Sequence, residues 1–284
     1  MDTRDLVKRQ FGAHAINYVK SPDHSRGESL DRLIAVVKPQ PGWRALDVAT
    51  GGGHTALALA PLVREVVAAD LTPEMLAAAE GFVRGRGAAN VVFREADAED
   101  LPFGEGEFDL VTCRIAPHHF PDPAHFVREC ARVARPGGLV AVIDNITPPD
   151  SLAARHINTV EKLRDPSHVW ACTAAEWESF FASAGLAVEH EEQFTKARDF
   201  HRWADMMSVP PKVKLQLEVL LRQAPAPALE ALRPREEGDR FVFELQEVLI
   251  VGRTHPFIRS VSDDPFLPPA LEALRPREEG EAGD

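Results

Sequence analysis

A carboxylate and a run of glycines stand close together in the first half of the chain. Asp47 lies near the end of an otherwise largely apolar run, 44–48, that favours a β-strand, and glycines follow at positions 51, 52 and 53. The alanine- and leucine-rich segment 54–60 then favours a helix. Glycine accepts a positive φ and lets the backbone approach a ligand, and the first helical turn offers unpaired N–H groups. The pattern predicts a small-molecule site at the carboxyl end of a first parallel strand.

The position of Asp47 distinguishes between two kinds of ligand. The spacing Gly51-x-Gly53-x-x-Ala56 also fits a dinucleotide fingerprint, which is a weak signal on its own. A carboxylate just before the turn would repel a pyrophosphate, but it would attract a ligand with an ammonium and a sulfonium group, such as S-adenosylmethionine (SAM). Here the chain resembles the class I SAM-dependent methyltransferases, whose first motif is an acid followed by spaced glycines. Ala49 stands at the first glycine of that motif, as in many members similar to the ubiquinone/menaquinone-type (methyltransferase type 11) enzymes.

Two further acids follow the next two predicted strands. Asp70 ends the run 65–70, close to the spacing at which a ribose-binding acid follows a Gly-rich turn. Asp97 comes shortly after the run 90–94. The resemblance implies that Asp70 accepts hydrogen bonds from the ribose hydroxyls. It also implies that Asp97 approaches the adenine amino group, with the backbone N–H of Ala98 near a ring nitrogen.

Residues around these acids complete the predicted cofactor site. Leu71 and Met75 are placed to touch the adenine, although Met75 also suits core packing. The predicted fourth strand resembles the fourth motif of the family, which implies that its last residues, Cys113 and Arg114, border the sulfonium. Tyr18, the only tyrosine of the chain, either reaches the methionine end of the cofactor or packs the first helix onto the sheet. The predicted cofactor-binding residues are Tyr18, Asp47, Ala49, Thr50, Gly51, Gly53, Asp70, Leu71, Met75, Asp97, Ala98, Cys113 and Arg114.

Two adjacent histidines, His118 and His119, follow the fourth strand and are the candidate catalytic residues. A histidine can take a proton from an acceptor near neutral pH, a step that is needed only where the acceptor must lose one. Adjacent side chains on an extended loop point apart, so at most one of the two should face the acceptor. The alternative is that they merely satisfy backbone groups. His24 and His168 are further candidates on loops.

Three alternatives to metal-free methyl transfer remain open from the sequence. Asp144 and Asn145 resemble the Asp-Asn pair that helps to hold magnesium in catechol-type O-methyltransferases, but the fourth strand ends without the acid that such a site requires. We therefore predict no metal. An NAD(P)-dependent oxidoreductase could use the same Gly-rich turn, although it predicts no acid at position 47. The third alternative is a SAM-binding protein without catalysis.

Composition limits the class of partner. The chain has 284 residues and a formal net charge of −12. Because affinity for nucleic acid depends mainly on Lys and Arg, we expect a small-molecule acceptor and no nucleic acid. The three widely spaced cysteines indicate neither a zinc site nor a disulfide framework. Without a signal-like N-terminus or a bilayer-length apolar run, we predict a cytoplasmic monomer or homodimer with no membrane insertion.

Three parts follow along the chain. We predict an N-terminal helical lid over 1–42, the SAM-dependent methyltransferase domain over 43–252, and a Pro-rich, acidic and flexible tail over 253–284. The segment 227–238 recurs at 269–280, as a partial repeat inside the tail. The resemblance implies a Rossmann-like α/β fold, with a seven-stranded, mostly parallel sheet, an antiparallel last strand and helices on both faces.

Overall fold

A computed structural model describes residues 3–20 and 28–256 of the protein. Its helices are α1 (Thr3–Lys20), α2 (Glu28–Val37), α3 (His54–Leu59), α4 (Pro73–Arg84), α5 (Pro123–Val133), α6 (Ser151–Arg164), α7 (Ala174–Ser183), α8 (Phe200–Met206), α9 (Pro211–Arg222) and α10 (Ala226–Leu232). Its strands are β1 (Arg44–Val48), β2 (Glu65–Asp70), β3 (Val91–Glu95), β4 (Phe108–Arg114), β5 (Ala134–Ile146), β6 (Leu186–Asp199), β7 (Arg235–Glu237) and β8 (Arg240–Thr254). Two short 3₁₀ turns, Ala60–Leu62 and Pro117–His119, connect elements of the first half.

The strands form one mixed sheet in the order β3-β2-β1-β4-β5-β8-β6. Strands β1 to β5 pair in parallel, and β8 runs antiparallel to both β5 and β6. The predicted Rossmann-like fold, with an antiparallel strand formed by the end of the domain, is confirmed. Because the strand order reverses between β1 and β4, a crevice forms at their carboxyl ends, where open α/β sheets bind ligands.

The strands are apolar because the sheet is covered on both faces. Alternate residues of β1 show this, since Leu46 and Val48 pack with α5 and α7, whereas Ala45 packs with α2 and α3. Side chains that alternate along a strand point to opposite faces of the sheet. A third apolar cluster joins α6, α8, α9 and α10 to the start of β8 around Trp203 and Phe243.

The structure adds one strand and changes the role of one helix. The three-residue strand β7 pairs with β8 and lies within the first copy of the repeat, where no strand was predicted. Helix α2, which was predicted to belong to the lid, packs Leu30, Leu33 and Val37 into the core of the domain. Of the two helices described in the predicted lid, α1 lies against the cavity described below and α2 does not. The predicted tail lies, from residue 257 onward, outside the described residues, as does the second copy of the repeat.

No helix within residues 3–20 and 28–256 is long and apolar enough to cross a membrane.

Candidate functional site

A cavity opens at the carboxyl ends of β1, β2 and β4, at the predicted crevice. It encloses about 1030 Å³, open solvent at its mouth included. Its wall comes from the Gly-rich turn after β1, the ends of β2 and β4, the loop after β3 and one face of α1. Four carboxylates and two guanidinium groups line it: Asp47, Asp70, Asp97, Glu99, Arg4 and Arg114. The acids outnumber the arginines, which suits a ligand with cationic groups.

The turn after β1 depends on left-handed backbone conformations at three positions. Ala49, Gly51 and Gly53 have φ values of 51°, 54° and 81°. For Ala49 this conformation costs about 1 kcal/mol, and it explains why the motif usually has glycine at this position. A Cβ on Gly53 would meet Val83 Cγ2 at 3.0 Å and Ala79 Cβ at 3.2 Å. Gly53 is therefore required for packing between α3 and α4, and it does not line the cavity.

Asp47 is a buried carboxylate at the floor of the cavity, with 1% of its surface exposed. It accepts hydrogen bonds from Thr50 Oγ1 at 2.6 Å and from Thr112 Oγ1 at 2.9 Å. Burial raises the pKa of Asp47 to about 6, although both hydroxyls and the charge of Arg114 act against this shift. The carboxylate is thus held in position but is not fully compensated in charge, which favours a cationic ligand.

Asp70 joins the Gly-rich turn to the end of β2. It accepts hydrogen bonds from Gly51 N and from Thr72 N, both at 2.9 Å. Burial raises the pKa of Asp70, and these backbone N–H groups act in the opposite direction. Leu71 and Met75 line the cavity beside it. A carboxylate with fixed oxygens next to apolar side chains can bind a ribose that carries a stacked base.

Helix α1 closes the cavity from the side of the loop after β3. Arg4 contacts Asp97 with Nε at 2.5 Å and Glu99 with a terminal nitrogen at 2.9 Å. Asp97 also accepts a hydrogen bond from Glu99 N at 2.9 Å, so this loop is fixed by its own carboxylate. Ala98 lines the cavity between the two acids. The sequence analysis missed Arg4 and Glu99, because nothing local to either residue indicates that α1 reaches this loop.

The two last residues of β4 occupy different environments. Arg114 lines the cavity, and its Nε donates to Thr55 Oγ1 at 3.2 Å. Burial lowers the pKa of Arg114, and the charges of Asp47 and Glu247 offset part of this effect. Cys113, by contrast, is 1% exposed within the apolar core and does not line the cavity. Alternation along the strand explains the difference, because neighbouring side chains point to opposite faces.

The two candidate histidines lie in the 3₁₀ turn Pro117–His119, whereas an extended loop was predicted. Of these two histidines, His119 lines the cavity and His118 does not. The ring of Phe11 packs edge-on against the ring of His119, with 4.9 Å between the ring centroids. His118 points away from the cavity, and its Nδ1 lies 2.6 Å from Asp144 Oδ1. Burial would lower the pKa of His118, but Asp144 reverses this effect and raises it. Of the two rings, that of His119 faces the cavity and that of His118 does not, and that at most one of them faces the acceptor stays a prediction.

A loop after α6 supplies polar partners that the sequence analysis did not anticipate. Ser167 Oγ lies 3.2 Å from His119 Nδ1 and donates to Asp165 Oδ1 at 2.6 Å. The backbone nitrogens of Val169 and Trp170 donate to the carbonyl of His118 and hold the loop against the turn. The contacts of this loop with His118 and His119 join positions more than forty residues apart, so no local pattern could indicate them.

The placement of the predicted residues is therefore mixed. Those on the cavity wall are Asp47, Ala49, Thr50, Gly51, Asp70, Leu71, Met75, Asp97, Ala98, Arg114 and His119. Gly53, Cys113 and His118 lie behind the wall, in packing or pairing roles. Tyr18 belongs to α1, and its side chain falls outside the described part of the chain.

Asp144 and Asn145, the metal alternative of the sequence, lie at the end of β5. Asp144 is engaged by His118, as described above. Within residues 3–20 and 28–256 no group of three or more His, Cys, Asp or Glu side chains is arranged to hold a metal ion.

Comparison with known proteins agrees with this geometry. The model of a methyltransferase domain family matches residues 46–142. The uncharacterized methyltransferase YcgJ of Bacillus subtilis strain 168 is 33% identical over 244 residues, which cover 85% of this chain and 96% of that protein. The crystal structure of YcgJ superposes with a TM-score of 0.77 over 80% of this chain and 98% of that one. The ubiquinone biosynthesis O-methyltransferase of Methylococcus capsulatus is 42% identical over 138 residues, 46% of this chain and 57% of that protein.

The fold and the acid-lined cavity thus define a SAM-dependent methyltransferase. The chain belongs to the class I SAM-dependent methyltransferases, and SAM is its cofactor. The donor set fits that cofactor, because the wall combines fixed carboxylates for the ribose and the cationic end with apolar residues for the base. Membership of this family decides against the two alternatives that the sequence left open, an NAD(P)-dependent oxidoreductase and a SAM-binding protein without catalysis.

Proposed function

We propose that this methyltransferase acts on a small, largely apolar acceptor of quinone-like type, at a ring carbon or hydroxyl oxygen, with His119 as the general base. The observation that carries the proposal is the position of the His119 imidazole on an otherwise mostly apolar part of the cavity wall. The acids come from the Gly-rich turn, the end of β2 and the loop after β3. The cavity thus combines an acid-rich part suited to SAM with apolar side chains suited to an apolar ring.

The acid-rich part would hold the cofactor through residues of this chain. Asp70, whose oxygens are fixed by Gly51 N and Thr72 N, would accept the ribose hydroxyls. Asp97 and the N–H of Ala98 would contact the edge of the adenine. Asp97 would then be shared between Arg4 and the adenine. Asp47 would face the cationic methionine end, because a buried carboxylate with an elevated pKa gains most from a nearby positive charge.

The apolar side chains of the cavity wall suit an acceptor without charge. Val7 and Phe11 of α1 lie on the same wall as Ile115, Ala116 and Phe120 from the segment after β4. Apolar and aromatic side chains with one convergent polar group are typical of sites for small organic molecules. The net charge of −12 is consistent with a neutral acceptor and argues against nucleic acid.

The proton chemistry restricts the acceptor further. Bound SAM supplies a methyl group on a positively charged sulfur, which keeps the bonding electrons and becomes a neutral thioether. The proton that the acceptor loses passes to the imidazole of His119. Burial, and next the neighbouring His118, lower the pKa of His119 to about 3, so it is a weak base. A weak base suffices where methylation makes the acceptor proton strongly acidic, as at a ring carbon or hydroxyl, but not for an alkylammonium with a pKa of about 10.

Two matched relatives support a quinone-like acceptor, because their names assign them to quinone chemistry. One is the ubiquinone biosynthesis O-methyltransferase of Methylococcus capsulatus introduced above. The other is the demethylmenaquinone methyltransferase of Clavibacter sepedonicus, 38% identical over 133 residues, 47% of this chain. Each match covers less than half of this chain, so the support concerns the class of acceptor and not its identity.

A transfer screen tests the proposal. The protein is incubated with methyl-labelled SAM and pooled metabolite extracts, and labelled products are separated and identified by mass. We expect label in a compound that partitions into organic solvent and carries the methyl on a ring carbon or oxygen. His119→Gln should reduce its formation by about 100-fold or more, whereas His125→Gln, on the exposed face of α5, should not. Label recovered in an amine, a protein or RNA would refute the proposal.

A further inference from the structure

A chain of buried polar groups runs from the cavity into the interior behind His119. It passes from His119 Nδ1 to Ser167 Oγ at 3.2 Å and from Ser167 Oγ to Asp165 Oδ1 at 2.6 Å. His119, Ser167 and Asp165 are 7%, 0% and 3% exposed. Buried polar groups of this kind are costly unless each has a partner, and here each of the three has one. The line that they form begins at the cavity wall, at the residue proposed as the base.

The direction of the hydrogen bonds follows from counting protons. An ionised carboxylate only accepts, so the single hydroxyl proton of Ser167 is used in the short bond to Asp165. Ser167 Oγ can then only accept from His119, which requires a proton on His119 Nδ1. The other nitrogen, Nε2, is left without a proton. A base needs such an unprotonated nitrogen.

Asp165 is itself held in place and in its ionised form. Its Oδ1 also accepts from Ser167 N at 2.9 Å, and its own backbone N–H donates to Glu161 O at 2.8 Å, at the end of α6. Burial would raise the pKa of Asp165, but His119, the two bonds from Ser167 and the charge of Arg164 together hold it below its ordinary value. Its second oxygen lies 3.9 Å from His119 Nε2. This is too long for a hydrogen bond but close enough to favour a positive charge on the ring.

The other groups that face His119 keep it neutral before reaction. The ring centroid of His118, whose partner is Asp144, lies 4.2 Å from the ring centroid of His119. The ring centroid of His168 lies 6.3 Å from that of His119. The pKa of His168 is lowered to about 2, mainly by burial, so this ring carries no charge near neutral pH. Phe11 covers the His119 ring from α1. A neutral imidazole in a fixed tautomer is thus the state that the surroundings impose.

We propose that Ser167 and Asp165 are positioning residues for the methyl transfer: they fix His119 as the Nδ1–H tautomer, keep Nε2 free to take the acceptor proton, and stabilise the imidazolium that results. The inference rests on the proposed role of His119 as the base. In the step itself, the acceptor forms a bond to the methyl carbon, the sulfur keeps the electron pair of the broken bond, and the acceptor proton passes to Nε2. Ser167 and Asp165 keep their own protonation states throughout.

The tautomer can be measured directly, without any acceptor. We would label the histidines with ¹⁵N, record long-range ¹H–¹⁵N correlation spectra of the full chain near neutral pH, and assign His119 among the 11 histidines by its loss in His119→Gln. We expect the Nδ1–H pattern for His119 in the wild type, its loss in Ser167→Ala and its return in Ser167→Thr. Thr147→Val is the matched control, because Thr147 has a buried hydroxyl that donates to the carbonyl of Ala171; it should leave the pattern unchanged.

The results that would overturn the inference are equally specific. A wild-type His119 with the proton on Nε2, or with both nitrogens protonated, contradicts it even if the Ser167 variants fail to fold. An unchanged Nδ1–H pattern in folded Ser167→Ala contradicts it as well. With the acceptor from the transfer screen, Ser167→Ala should lower kcat by about 10-fold with little change in KM. Full transfer by His119→Gln, together with the expected tautomer data, would instead refute the proposed base and leave the hydrogen-bonded chain in place.

Discussion

Acidification below about pH 6 should weaken SAM binding through one residue, Asp47. Burial raises its pKa from 3.8 to about 6 in the ligand-free protein. At about 1.36 kcal/mol per unit, this shift corresponds to roughly 3 kcal/mol of unfavourable interaction with the ionised form. A sulfonium or ammonium group beside the carboxylate recovers part of that free energy and lowers the pKa. Binding therefore releases a proton near pH 6, and below that pH the affinity should fall by up to about 10-fold per pH unit.

Calorimetry from about pH 5 to about pH 7.5, in two buffers that differ in ionisation enthalpy, measures both the affinity and the protons released. Burial also raises the pKa of Asp70, so this second acid could contribute to the pH dependence. The variant Asp47→Asn separates the two, because it should bind SAM weakly and lose most of the pH dependence. Asp109→Asn is the control, since Asp109 pairs with Arg44 N and Arg135 at the start of β4, away from the cavity.

The same shift predicts an opposite effect on stability. The folded-state pKa of Asp47 lies above its unfolded value, so the folded state binds more protons between about pH 4 and about pH 6, and this residue destabilises the ligand-free protein as the pH rises through that range. Asp47→Asn should therefore raise the free energy of unfolding near neutral pH by about 1 to 3 kcal/mol. An affinity that stays flat across the pH range, or an Asp47→Asn protein that is less stable, would refute the reasoning.

Three further predictions concern single features of the site. Asp70→Ala should weaken SAM binding by about 1 to 3 kcal/mol in calorimetry, because the ribose hydroxyls lose a charged acceptor; unchanged affinity in a folded variant would remove Asp70 from the ribose site. Gly53→Ala should lower the free energy of unfolding by about 1 to 3 kcal/mol in denaturant titration, since it combines a φ of 81° with a Cβ contact of 3.0 Å to Val83; Gly42→Ala, which has open space around its Cβ, is the control. EDTA should leave methyl transfer intact, and activity that magnesium restores would instead place Asp144 in a metal site.

The part of the site that lies close along the chain was predictable. Asp47, Gly51 and Asp70 each stand at the end of an apolar strand or in the turn after it, and the parallel sheet brings such ends together at one edge. For this reason a short sequence pattern, with the family resemblance that it carries, sufficed to predict the edge, the ligand class and part of the wall. The fold through β8 was predicted from the resemblance to the class I methyltransferases.

The remainder depends on contacts between distant segments, which a local pattern does not contain. Cys113 and Arg114 are neighbours in β4, yet only the burial of the two faces decides which one reaches the cavity. Ser167 reaches His119 only because the loop after α6 is bonded to the 3₁₀ turn. Strand β7 forms because β8 is long enough to pair with it beyond β5. In each case tertiary packing determines the outcome, and propensity does not.

The attachment of α1 has a consequence for the time that each catalytic cycle requires. None of the side chains described in this helix, residues 3–12, is fully buried, and Arg4, whose side chain is 42% exposed, pairs with Asp97 and Glu99, whose side chains are 25% and 7% exposed. Ion pairs that stay partly in contact with solvent contribute about 1 kcal/mol each. Opening of a lid or local unfolding takes about microseconds to seconds, whereas typical enzymes complete about 10 cycles per second. These time ranges overlap, so where α1 has to move aside, entry of SAM or departure of the demethylated product can limit the rate of the cycle.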